Sequence, residues 1–413
     1  MKLLHTADWH LGTYLGPYSR IDEQRLFLTN LCRIVDERQV DMVLIAGDVF
    51  DTANPSAAAE GLFYTAMADL AQRKIPVIVV AGNHDSAERL LAPIPMVSEL
   101  GVLVFATPHC RPATRDYGDF AVYSPASACV EITFKASGES VVLAALPFVS
   151  EKRLGEVIFD EDAIKNKGEA AMQRDYSAKI GTLFARSAAF FRNDAISIAA
   201  GHFHIAGGES SRGAERDILL GGSFAVHPHD MPDAQYIAMG HLHRSQKVKC
   251  GADGENVAYY AGSPLPYSLS EQGYPKAVYI ADLAAGRPAD VEKVLLDCPK
   301  PIELWEVKTA ADALLRCAEP SNAYKYIRIT EEATLSPHDI KEMRRLAADI
   351  VAIDISTDNN AVVMNLDDDF AKLLNPREEF ANFYAKTHGI QPKPEVLQIF
   401  SEILHTPDDE EQE

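Results

Sequence analysis

The sequence predicts an α/β core in which strands lie buried between helix layers over residues 1–284, followed by a small α+β domain and a terminal helical pair. Three observations carry this. Up to about residue 284, short apolar runs rich in β-branched residues alternate with helix-patterned stretches, and strands covered on both faces read as continuous apolar runs. At Ala285-Gly286-Arg287-Pro288 the texture changes to shorter elements of mixed type. The chain has 413 residues, 47% hydrophobic and 24% charged, which is enough for more than one core.

Taken in order, strands are expected at Lys2-His5, Asp41-Ala46, Ile75-Ala81, Val141-Leu146, Ile196-Ala200 and Tyr236-Met239. Helices are expected at Ile21-Arg38 and Ser56-Lys74, the second opened by Asn54-Pro55 as N-cap and first helical residue. Asp160-Arg192 is Ala-rich with apolar residues at helical spacing, which predicts a long surface helix or a helix pair. In the small domain, residues 285–357, strands are expected at Val291-Leu296, Ile302-Val307, Tyr324-Thr330 and Ile350-Ser356, and helices at Ala310-Ala318 and Ser336-Ala348. A polar linker, 358–375, leads to two amphipathic helices within 376–405, whose stripes include Phe380, Phe383, Val396 and Phe400, and to an acidic tail, 406–413. With little chain left to cover those stripes, the pair reads as a docking element, against the plainer alternative that it packs back on the core.

The formal charge of −21 argues against a protein that coats nucleic acid through a global positive field. Any DNA substrate would then be held by metal ions, a local basic strip or a partner. Cys32, Cys110, Cys129, Cys250, Cys298 and Cys317 form no C-x-x-C pair, so neither a thiolate zinc site nor a disulfide framework is signalled. The N-terminal segment turns polar too early for a signal peptide and no apolar run spans a membrane, so a cytoplasmic location with no membrane partner is expected.

Five motifs each follow directly on an apolar strand-like run: Asp8-Trp9-His10, Gly47-Asp48-Val49-Phe50-Asp51, Gly82-Asn83-His84-Asp85, Gly201-His202 and Gly240-His241-Leu242-His243. Residues just past strand carboxyl ends converge on one crevice. Imidazole and carboxylate donors without thiolate suit manganese, iron or zinc in a reactive site better than a structural zinc knot. Seven such ligands exceed the needs of one ion, whereas two ions about 3.5–4 Å apart sharing a carboxylate form a clamp for phosphoryl transfer. A lone D-x-H is usually a solvated turn or helix cap; an ordered set of five is not a coincidence of that kind.

These residues resemble the calcineurin-type metallophosphoesterases, and Leu4-His5-Thr6-Ala7-Asp8-Trp9-His10-Leu11-Gly12, Ala46 to Thr52, Ala81 to Ser86 and Tyr260-Ala261-Gly262-Ser263-Pro264 resemble the SbcD family of nuclease subunits within them. The resemblance implies a β-sandwich core flanked by helices, a capping domain and a terminal helical pair. It implies one ion on Asp8, His10, Asp48 and His243 and another on Asp48, Asn83, His202 and His241, most simply manganese, with Asp48 shared and His84 as proton donor to the leaving oxygen. Asp51 and Asp85 would support the ligands from behind. Asp51 stands where archaeal and eukaryotic relatives carry histidine, while His204, His227 and His229 lie outside the pattern.

The implied function is a metal-dependent DNA nuclease, acting on duplex ends and on single strands or hairpins. It would dimerise and dock its helical pair on an SbcC-type coiled-coil ATPase in DNA end processing, repair and recombination. Two rivals are a phosphoesterase for small molecules or phosphoproteins, and a non-catalytic scaffold that tethers DNA ends.

Overall fold

A computed structural model describes residues 1–155, 169–211, 225–331 and 335–355, together with Val396. The chain runs through β1 (Lys2–Thr6), the hairpin β2 (Tyr14–Leu15) and β3 (Tyr18–Ser19), α1 (Ile21–Arg38), β4 (Met42–Ala46), α2 (Ala57–Ala71) and β5 (Val77–Val80). Next come α3 (Ala87–Leu91), α4 (Ile94–Val97), β6 (Val102–Phe105), β7 (Arg115–Asp116), β8 (Phe120–Ala126), β9 (Cys129–Phe134) and β10 (Ser140–Leu146). They are followed by α5 (Glu151–Leu154), α6 (Glu169–Ala188), β11 (Ile196–His202), β12 (Tyr236–Gly240), β13 (Gln246–Cys250), β14 (Asn256–Tyr260), β15 (Ala277–Asp282) and β16 (Asp290–Leu295). Last are β17 (Ile302–Val307), α7 (Ala310–Cys317), β18 (Tyr324–Ile329), α8 (Pro337–Leu346) and β19 (Ile350–Ile355).

Two sheets stack face to face, in the orders β16-β15-β1-β4-β5-β6 and β13-β14-β12-β11-β10-β9-β8-β7. Side-chain alternation along each strand builds the layers. In β4, Met42, Leu44 and Ala46 face the second sheet and meet Ile196, Ile198 and Ala200 of β11. Val43 and Ile45 face the other way, onto Phe27 and Leu31 of α1 and Leu62 and Phe63 of α2. Across the molecule Ala199, Ile237 and Met239 cover Tyr176, Ile180 and Phe184 of α6. Helix, sheet, sheet, helix is therefore the layer order, and each buried Leu, Ile, Val, Met or Phe in it contributes roughly 1.5–3 kcal/mol.

β1, β4 and β5 are parallel in the first sheet, and β11 and β12 in the second. Their carboxyl ends carry the five motifs.

Two placements differ from the sequence-based expectation. The cap of α2 is Ser56, whose hydroxyl accepts the Ala59 N–H at 3.3 Å, and not Asn54; Pro55 therefore precedes the cap. The strand expected at Val291-Leu296 as the first of the small domain is β16, which pairs antiparallel with β15 from Ala277↔Leu295 to Asp282↔Asp290 at the edge of the first sheet. Its half-covered pattern reads like a new small sheet when only sequence is considered.

The chain divides into two compact units: Met1–Trp305 with Pro320–Tyr326 and Ala348–Ala352, and Glu306–Glu319 with Ile327–Ala347 and Ile353–Glu413. In the second, α7 begins with a capping box between Thr309 and Asp312, and Ser336 caps α8. The linker, the helical pair with Phe380, Phe383 and Phe400, and the acidic tail lie outside the described residues, Val396 excepted. No helix among the described residues is long and apolar enough to cross a membrane.

Candidate metal centre

Beyond their strand ends, the loops after β1 and β4 run side by side. Asp8 N–H donates to the Gly47 carbonyl at 3.0 Å, His10 N–H to Asp48 at 2.9 Å and Leu11 N–H to Val49 at 2.9 Å. The turn is sharp enough that Asp8, His10, Asp48 and His241 all adopt positive φ, at 52°, 43°, 47° and 95°. Non-glycine residues held there cost roughly 1–3 kcal/mol each and persist only where their surroundings enforce them. Two glycines permit the crossing of the loops: a Cβ at Gly82 would overlap Asp48, and one at Gly240 would overlap the Ala46 carbonyl.

The seven side chains meet in one place. His10 Nε2 lies 3.1 Å from His243 Nε2. Asp48 Oδ2 stands between the two halves of the set, 3.6 Å from His10 Nε2 and 3.2 Å from His202 Nε2. Asn83 Oδ1 is 3.0 Å from His202 Nε2 and 3.1 Å from His241 Nδ1. Asp8 accepts the His241 backbone N–H at 2.8 Å through Oδ1, while its buried Oδ2 has no hydrogen-bond partner. Asp8, His10, Asp48, His202, His241 and His243 are buried, whereas Asn83 and His84 are half-buried at the mouth.

This crowd of acceptors fits cations. His202 Nδ1 donates to the Ala46 carbonyl at 2.9 Å, so in the neutral ring Nε2 is a lone pair facing the oxygens of Asp48 and Asn83. The two Nε2 atoms of His10 and His243 face each other in the same way. Acceptor against acceptor is repulsive unless a cation or proton lies between them. Charges record the same demand. Burial raises Asp8 to about 7, with Asp48 adding to the rise against the opposing pull of His202 and His243. Burial lowers His202, yet Asp48 and Asp8 outweigh it and hold the ring at about 9. Burial takes His10 down to about 4 and His241 well below the ordinary histidine range. Asp48 stays well below the usual carboxylate range because the surrounding histidines outweigh its burial. Three groups with ligand atoms within 4.8 Å of one another overlap here: Asp8, His10 and His243; His10, Asp48 and His84; Asp8, Asp48 and His202.

The family model for calcineurin-like phosphoesterases matches residues 1–245. The SbcD subunit of the SbcCD nuclease of Bacillus subtilis is 35% identical over the full length of both chains. The chain belongs to the SbcD family of calcineurin-like phosphoesterases. An SbcD subunit from Rhodobacter capsulatus is 37% identical over 76% of each chain, and one from Escherichia coli K12 is 30% identical over 73% of this chain and 70% of its own.

The carboxylates and histidines around the seven ligands divide by what they touch. The Asp51 carboxylate lies 3.4 Å from His10 Nδ1, and its backbone carbonyl accepts from His84 Nδ1 at 2.6 Å, so that Nε2 is the ring nitrogen of His84 turned away from Asp51. The carboxylate of Asp85, expected to support the ligands from behind, accepts backbone N–H groups of Val49, Phe50 and Gly82 at 3.2, 2.9 and 2.8 Å and so ties together the loops that carry Asp48 and Asn83. His204 Nε2 reaches the Gly208 carbonyl at 3.2 Å. His227 and His229 are exposed, with their rings tilted at 40° and 4.6 Å apart.

Residues unforeseen from sequence brace the site. Gln24 of α1 donates to the His10 carbonyl at 2.8 Å and accepts the Gly12 N–H at 3.0 Å. The Tyr267 hydroxyl donates to the Trp9 carbonyl, and its ring packs 5.6 Å from that of His10. The Glu271 carboxylate lies 3.3 Å from His243 Nδ1.

Proposed function

We propose that this SbcD-family chain is a metal-dependent DNA nuclease that works with an SbcC-type ATPase. The observation that supports it most is the position of Asp48 Oδ2 between His10 and His202, in a chain aligned end to end with an SbcCD nuclease component. Asp8, His10, Asp48 and His243 would hold one divalent ion and Asp48, Asn83, His202 and His241 the other, with manganese the expected metal. Such a pair, when bound, neutralises phosphate charge and makes water more acidic.

The chain's own groups do the rest. The N–H of His84 holds Asp48 Oδ1 at 2.9 Å, fixing the shared carboxylate. The Asp51 backbone carbonyl takes the Nδ1 proton of His84, so in the imidazolium form the second proton sits on Nε2 and would pass from there to the leaving oxygen of the cleaved phosphodiester, leaving the neutral Nδ1–H ring. His84 is half-buried and can reach a substrate, while Asp8, His10, Asp48, His202, His241 and His243 are buried. Residues 376–405 would dock on the ATPase, and the chain would pair with a second copy through helices of the phosphoesterase domain. The ATPase would supply the positive surface that a chain of net charge −21 lacks.

Digestion of end-labelled and hairpin DNA with added manganese tests this. The wild-type chain should cleave, chelator should stop it, and His84→Gln should lower kcat by roughly 10²–10⁴-fold, the usual worth of a positioned acid. Absence of cleavage with the ATPase present, or full activity in His84→Gln, would overturn it.

A further inference from the structure

We infer that Glu271, held in place by Lys276 and Ser263, is a positioning residue that fixes His243 for metal binding, and that its effect falls on one ion of the pair. The inference rests on the two-ion reading above. Glu271, Lys276 and Ser263 lie beyond 1–245, the stretch that the family model matches.

Glu271, Lys276 and Ser263 are 1%, 4% and 0% exposed in the loop between β14 and β15. A buried carboxylate of this kind needs full satisfaction, and Glu271 has it. Oε1 accepts the Tyr267 N–H at 3.1 Å and the Ser268 hydroxyl at 3.4 Å, and lies 3.3 Å from His243 Nδ1. Oε2 accepts the Ser263 hydroxyl at 2.9 Å and the Lys276 ammonium. Lys276 also donates to the His243 backbone carbonyl at 3.3 Å. One partner of the ion pair therefore grips the ring of His243 and the other grips its backbone.

An ionised carboxylate only accepts, so His243 must carry its proton on Nδ1 and present the Nε2 lone pair to His10 and the site. His10 likewise has the Asp51 carboxylate behind it at 3.4 Å. His202, by contrast, is backed by the neutral Ala46 carbonyl. Carboxylate backing raises ligand basicity as well as fixing orientation, so the ion on Asp8, His10, Asp48 and His243 is the one that depends on Glu271.

The test is calorimetric titration of the metal-stripped full chain with Mn²⁺, wild type against Glu271→Gln/Lys276→Met, a pair of changes that leaves no unpaired buried charge. Wild type should take two ions. The double variant should bind one of them roughly 10–100-fold more weakly and the other unchanged. Unchanged binding of both ions, or equal weakening of both, would overturn the positioning role. A wild type that takes no second ion would instead overturn the two-ion reading. Independently of the variant's folding, long-range ¹H–¹⁵N spectra of the metal-free wild type at about pH 8 should show His243 as the Nδ1–H tautomer; the Nε2–H tautomer would sink the proposal.

Discussion

Asp8, His10, Asp48 and His241 hold backbone angles that side-chain-bearing residues seldom adopt, so their ligand atoms converge only because neighbouring loops are pressed together. Gly240 is where that pressure is greatest. A Cβ there would overlap the Ala46 carbonyl and stand 2.8 Å from His202 Nδ1. Gly240→Ala should therefore cost roughly 3 kcal/mol in a urea titration, at the upper end of overpacking effects, and should weaken metal binding by displacing His202. Gly61 makes the control: it lies within α2, and a Cβ added to it would meet nothing within 4 Å, so Gly61→Ala should stabilise by about 0.5–1 kcal/mol. The ligands were legible in sequence because each is a residue of unusual chemistry just past an apolar run. Glu271 was not, because Ser268-Leu269-Ser270-Glu271-Gln272-Gly273 reads as a solvated turn. Only the fold-back of that loop onto Lys276 buries it.

Among the elements, α1 connects packing to chemistry. Phe27, Leu28, Leu31, Ile34 and Val35 form its buried stripe, and Gln24 sits three and four residues before the first two, on the same face. A polar residue in an apolar stripe was the available signal, and its meaning is the clamp on the His10 carbonyl and the Gly12 N–H. Gln24→Leu leaves the Gly12 N–H without its partner, while the His10 carbonyl keeps the Thr13 N–H at 3.1 Å. A drop of roughly 1–3 kcal/mol in unfolding free energy is the expected result, with weaker metal affinity in the same protein. Preserved stability would show that α1 does not brace the loop. The span of α1 was readable to the residue from its helical pattern, and the structure ends it where Gln39 turns left-handed, with φ 52°. β16 reads as part of the small domain for a physical reason: an edge strand with one face covered shows the same alternation wherever it pairs.

For the molecule as a whole, a core this rich in buried imidazole and carboxylate is stable only while some cation balances it. In the metal-free chain the proton on His202 fills that role. Its folded value of about 9 lies above the ordinary 6.5, so the stabilisation is fully present below pH 6.5 and is lost as pH rises through 9. Asp8, raised to about 7, has already lost its own contribution by the start of the upper half of that window. A shift of this size corresponds to roughly 3 kcal/mol. Metal-stripped protein should accordingly lose about that much unfolding free energy between pH 6.5 and 9. Protein loaded with Mn²⁺ should lose little of it, because cations then face Asp8 and Asp48 at every pH in the range. Urea midpoints of both forms at the two pH values decide the matter. Parallel curves for stripped and loaded protein would mean that the pocket does not exchange a proton for metal, and that its convergence of acceptors is balanced in some other way.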